Sequence, residues 1–118
     1  MAATNHQDRA FCVVTTTVDS ADVAAQLADA VVRARAAACA QVSGPITSTY
    51  WWQGEVQTAT EWTVAFKSTL TAYSRIFALI SERHPYDVPE IICTPIVDGS
   101  PAYLAWLDAE TQPGAQAR

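Results

Sequence analysis

The chain has 118 residues, enough for one domain around one core. Hydrophobic residues make up 50% and charged residues 16%, too apolar for a disordered protein and apolar enough to expect a partner over some of the surface. The formal net charge is −5 and no Lys/Arg cluster occurs, which disfavours nucleic acid and anionic membranes, since both need a basic footprint.

The opening MAATNHQDRA has no apolar core of a secretory signal. No apolar run approaches the roughly 20 residues of a spanning helix. The expectation is a cytoplasmic protein. The three cysteines, Cys12, Cys39 and Cys93, are odd in number, widely spaced and set among apolar residues. They form no CxxC pair, so neither a disulfide framework nor a zinc site of the usual kind is expected.

Residues 1–10 are polar and expected to be loose. Phe11 to Thr17, FCVVTTT, is short and β-branched and reads as a strand. Asp19 or Ser20 can cap the helix that follows. Within it Val23, Leu27, Ala30, Val31 and Ala34 form one helical stripe, thin because of its alanines. Cys39 to about Trp52 turns β-like, with a bend or bulge at Gly44-Pro45. Gln53-Gly54 supplies a turn, and Val56 to Lys67 returns as the second arm of a long hairpin. Period-2 alternation puts Trp62, Val64 and Phe66 on one face and Glu61, Thr63, Ala65 and Lys67 on the other. Tyr73, Ile76, Phe77 and Ile80 mark a second helix, ending near His84 because Pro85 follows. Ile91 to Val97 reads as a fourth strand. Ser100-Pro101 opens a third helix carrying Tyr103, Leu104, Trp106 and Leu107.

The order β-α-β-β-α-β plus a terminal helix is the α+β, ferredoxin-like order, with helices on one face of an antiparallel sheet. A single domain over 11–110 is expected, between loose segments 1–10 and 111–118. A domain this small does not readily bury Trp51, Trp52 and Trp62 alone. The hairpin that carries them, with Tyr50, is an interface or a ligand pocket.

The AAAC segment ending at Cys39, Tyr50-x-Trp52-x-Gly54-Glu55-Val56, Lys67-Ser68, HPYDVPEI (residues 84–91) and Ser100-Pro101-Ala102-Tyr103-Leu104 with Trp106-Leu107 occur here in order. On these motifs the chain, from about Phe11 to Leu107, resembles the CutA family of divalent-cation tolerance proteins. The resemblance implies the ferredoxin-like fold, a homotrimer whose hairpins pair across subunits, and a link to copper or another divalent cation with no organic cofactor.

HPYDVPEI admits two readings. It is a rigid elbow, with Pro85 ending the helix, Pro89 fixing entry to the strand and His84 capping the last turn. Or it is a pocket wall, with Tyr86 and Trp52 as flat apolar surfaces and Glu90 as a hydrogen-bond acceptor or a partner of Lys67. The resemblance places Trp52, Glu61, Lys67, Tyr86 and Glu90 in the cleft between subunits. It also invites a copper site, for which Cys39 and His84 are the candidate thiolate and imidazole. Against that, Cys39 in AAACA reads as a small buried hydrophobe. Relatives often carry a cysteine where this chain has Thr15, and a second histidine can occur where it has Arg83. Cys39 and His84 thus make at best a two-ligand site or one shared between subunits. Nucleophile elbow, HExxH and phosphate-loop motifs are absent from the sequence, so an enzyme is not expected. The leading expectation is a trimer linked to metal tolerance with weak ion binding. A small-molecule sensor and a non-catalytic scaffold are the alternatives.

Overall fold

The structure is a computed structural model, and it describes residues 10–113. The elements in chain order are β1 (Phe11–Val18), α1 (Ala21–Arg33), β2 (Cys39–Trp52), β3 (Glu55–Thr69), a 3-10 turn (Leu70–Ala72), α2 (Tyr73–Arg83), β4 (Ile92–Ile96) and α3 (Pro101–Glu110). The four strands form one antiparallel sheet in the order β2-β3-β1-β4. This is the expected ferredoxin-like arrangement.

Local chemistry explains the boundaries. Ser20 caps α1, its hydroxyl accepting from the Val23 amide at 3.2 Å. Trp52 pairs with Glu55, leaving Gln53 and Gly54 as a two-residue turn, both at positive φ. That is the turn whose twist suits a tight hairpin. The bend expected at Gly44-Pro45 is a break in the β2–β3 register between Ser43 and Ile46, with a cis peptide at Gly44-Pro45. Gly44 sits at φ 148°, and a Cβ built there would lie 2.6 Å from the Trp62 ring. The indole therefore lies against the bare backbone of the bulge.

The main core lies between one face of the sheet and α1 and α2. Cys12, Val14, Val18, Val64 and Phe66 meet Leu27, Val31, Ile76 and Ile80, all essentially inaccessible. The alanines of α1 let it sit close, and Ala24 is fully buried. Phe77, placed on the buried stripe from its spacing, is instead exposed, and Leu79 packs partly in its stead. α3 covers one end of the opposite face, where Leu104 and Leu107 pack with Phe11, Ala38 and Ile96. Arg75 of α2 ties these parts together, donating to the carbonyls of Arg35 and Thr111 at 3.2 and 3.0 Å. Thr111 is buried and its hydroxyl donates to the Leu107 carbonyl at 2.9 Å. The loose segment expected from residue 111 therefore does not begin there. The expectations for residues 1–9 and 114–118 lie outside the described residues.

β1 pairs with β3 only from Trp62 to Thr69. Beyond Trp62 the hairpin continues as a two-stranded ribbon, stretching the molecule to 54 × 29 × 21 Å. Along it Ile46, Tyr50, Trp51, Trp52 and Val56 are exposed, Trp51 by 73%. A two-stranded ribbon is marginal in water by itself.

Candidate functional site

HPYDVPEI connects α2 to β4 around the end of β1, where the ribbon leaves the sheet. His84 stands in extended geometry (ψ 135°), as its position before Pro85 requires. Its Nδ1 accepts from the Tyr86 amide at 3.1 Å. The ring proton is thereby assigned to Nε2, which lies 2.8 Å from the Thr17 carbonyl and donates to it. Both imidazole nitrogens are engaged with backbone, and the ring stacks 4.8 Å from that of Tyr86. His84 stitches the elbow to the end of β1.

Tyr86 is thus aimed at the ribbon. Its hydroxyl donates to Glu61 Oε2 at 2.7 Å. Burial, then the hydrogen bond and charge of Glu61, hold this phenol above its usual range, with smaller contributions from Asp19 and Tyr50. Glu61 lies on the face away from α1 and α2, as its alternation with Val64 and Phe66 requires. That position leads one to expect a solvated carboxylate, yet only 7% of Glu61 is exposed, because the elbow folds over it. It joins no ion pair among the described residues.

A groove of about 560 Å³ opens between ribbon and elbow. Trp52, Glu61, Tyr86 and Glu90, all expected at a cleft, line it. Lys67 does not. It lies six residues along β3 from Glu61, about 20 Å at 3.4 Å per residue, and is paired with Val13 and Cys39. Tyr50 and Asp87 line the groove and were not among the expected site residues. Tyr50 could have been found by alternation, since residues two apart on a strand share a face with Trp52. Asp87 is legible only once the elbow's path is known.

The copper candidates are not brought together within the chain. Cys39 pairs with Lys67, whereas His84 binds the carbonyl of Thr17, which pairs with Thr63. Four residues of β3 separate these points, about 13 Å. Cys39 neighbours Tyr103, whose hydroxyl is raised by burial and then by this cysteine. Among the described residues no three of His, Cys, Asp and Glu are grouped to hold a metal ion. Cys12 and Cys93 touch across β1 and β4, and burial, with Cys93 second, pushes the Cys12 thiol up to about 12. No helix among the described residues is long and apolar enough to cross a membrane.

Fold and groove together define a small ferredoxin-like binding protein with an aromatic, acidic cleft beside a long hairpin. A family profile described as CutA1 divalent ion tolerance protein matches residues 12–110. The divalent-cation tolerance protein CutA of Thermus thermophilus is 41% identical over 99 residues, covering 84% of this chain and 96% of the relative. Its crystal structure superposes with a TM-score of 0.84 over 86% of this chain and 99% of the other, at 40% identity. CutA1 from Oryza sativa superposes at 0.86 with 33% identity, over 90% and 97% of the two chains. The chain belongs to the CutA divalent-cation tolerance family. It is 35% identical over 100 residues to the chloroplastic rice CutA 1, covering 85% of this chain but only 56% of the longer plant protein. A periplasmic CutA from Archaeoglobus fulgidus superposes at 0.84 with 26% identity, over 86% and 98% of the chains. The cytoplasmic placement expected from the sequence is therefore not supported: relatives of this fold work in other compartments, and the opening residues assign none.

Proposed function

We propose that this protein acts in divalent-cation tolerance as a non-catalytic homotrimer that binds a small ligand in the groove between ribbon and elbow. The groove carries this reading. It combines aromatic walls from Tyr50, Trp52 and Tyr86 with a carboxylate, Glu61, held by a 2.7 Å hydrogen bond, the usual make-up of a small-ligand site. Binding is favoured over catalysis because Glu61 is tied to a tyrosine and not to a nucleophile or histidine. Trimerisation is favoured by the ribbon, whose exposed aromatic and aliphatic side chains need cover. Divalent ions, copper included, bind weakly in this reading. His84 spends both nitrogens on backbone and Cys39 lies about 13 Å along the sheet, so a thiolate–imidazole site would have to form between subunits.

Titration calorimetry of the reduced protein with Cu(II), Zn(II) and Mg(II), beside Cys39→Ser and His84→Ala, tests the metal half. Weak heats that survive both replacements are expected. Tight copper binding abolished by either one would overturn the reading. Sedimentation equilibrium tests the assembly, with a trimer expected and a monomer refuting it.

A further inference from the structure

The groove's charge is one-sided. Its titratable lining is Tyr50, Glu61, Tyr86, Asp87 and Glu90, and it includes no lysine, arginine or histidine. Asp19, which acts electrostatically on Tyr86, adds a further carboxylate nearby. The neighbouring His84 presents no cation, because its Nδ1 accepts a hydrogen bond and its Nε2 points to Thr17. Lys67, expected from the sequence to bring positive charge here, lies about 20 Å away along β3.

Within this acidic groove Glu61 is the telling group. It is more than nine-tenths buried, its one hydrogen bond is the donation from Tyr86, and it has no basic partner among the described residues. Buried carboxylates are ordinarily paired with a cation, since desolvating an unpaired charge is costly. The missing cation must come from outside the chain.

The surroundings decide its kind. A hard metal ion needs several oxygens converging on one point, and the groove's carboxylates do not converge so. Carboxylates set apart along a groove suit a ligand with charges set apart. The rings of Tyr50, Trp52 and Tyr86 suit an ammonium carried on an apolar chain, which aromatic faces attract and metal hydration shells resist. We infer that the groove takes a linear alkyl diammonium, one ammonium at Glu61 and the other towards Glu90 and Asp87, with the methylenes against the rings. This rests on the groove being a ligand site, as proposed above.

The test titrates the full-length protein with 1,4-diaminobutane, butylamine, butanoate and Mg²⁺ at equal ionic strength, read by calorimetry and tryptophan fluorescence. The diamine should bind most tightly and butanoate not at all. Glu61→Gln should weaken the diamine at least tenfold. Glu90→Gln, at an exposed position, should weaken it several-fold even if Glu61→Gln disturbs folding, which circular dichroism would reveal. Butanoate or Mg²⁺ binding in preference, lost in Trp52→Ala, refutes the diammonium but keeps the groove as a ligand site. Diamine binding unchanged in both glutamine variants also refutes it. A diamine that binds only in Lys67→Ala means that a second copy's lysine is the cation, and the inference fails. If the folded protein binds none of the four probes, both the inference and the ligand-site reading fall.

Discussion

Replacing Tyr86 with Phe removes one oxygen and leaves the ring and the elbow in place. The lost bond is an O–H donated to a carboxylate at 2.7 Å. Hydrogen bonds to charged groups contribute about 1.5–3 kcal/mol to stability. Glu61 is shielded, so its oxygen does not simply regain water, but Tyr86 is only half-buried. The lower part of that range, about 1.5–2 kcal/mol, is therefore expected for Tyr86→Phe. Glu61→Gln keeps an acceptor and loses the charge, which should remove roughly half of the bond's worth. In the double variant little remains to lose, so the two effects should be coupled by about 1 kcal/mol. The assay is urea unfolding of all four proteins at one fixed concentration, because an assembling protein's apparent stability depends on concentration. Strict additivity, with Tyr86→Phe within 0.5 kcal/mol of the parent, would refute the idea that this bond organises the groove (all three figures in that comparison being about the size of ordinary surface effects).

Other outcomes follow from named contacts. Tyr86 and Cys12 both hold their protons more tightly in the folded chain, Cys12 at about 12 against an ordinary 9.0. A raised acid stabilises fully below its unfolded value and loses that contribution as pH climbs, so stability should fall from about pH 9 to 12, and Tyr86→Phe should lessen the upper part of the fall in a pH series of urea midpoints. The same burial should make Cys12 the slowest thiol to alkylate, with Cys39 and Cys93 labelled first in mass spectra of the native protein. Gly44→Ala forces a Cβ within 2.6 Å of the Trp62 ring at a left-handed φ. It should cost about 1–3 kcal/mol in thermal or urea unfolding. Thr16 lies fully buried with its hydroxyl unpartnered, so Thr16→Val should stabilise by about 1 kcal/mol, and a loss of stability in calorimetry would contradict that.

How much was legible in the sequence depends on whether a local period sufficed. The stripe Val23, Leu27, Val31 and the alternation Trp62, Val64, Phe66 mark α1 and β3 because each side chain's face follows from backbone geometry alone. Gln53-Gly54 marks the hairpin because both residues take positive φ, and Pro85 ends α2 by its own steric demand. What pattern did not reveal is what meets what. Alternation put Glu61 correctly on the face away from α1 and α2, but not that Tyr86 would fold over it. Nor could it separate Lys67 from that site, since both are on one face of one strand and only the end of the β1 pairing, at Trp62, divides them. Cys39 and His84 looked like a ligand pair by residue type, yet the register of β3 holds them apart and backbone bonds occupy the imidazole. Faces and turns are properties of a few adjacent residues, so the sequence determined them. The groove arises where a loop from one half of the chain closes over a strand from the other, and only tertiary packing decides that.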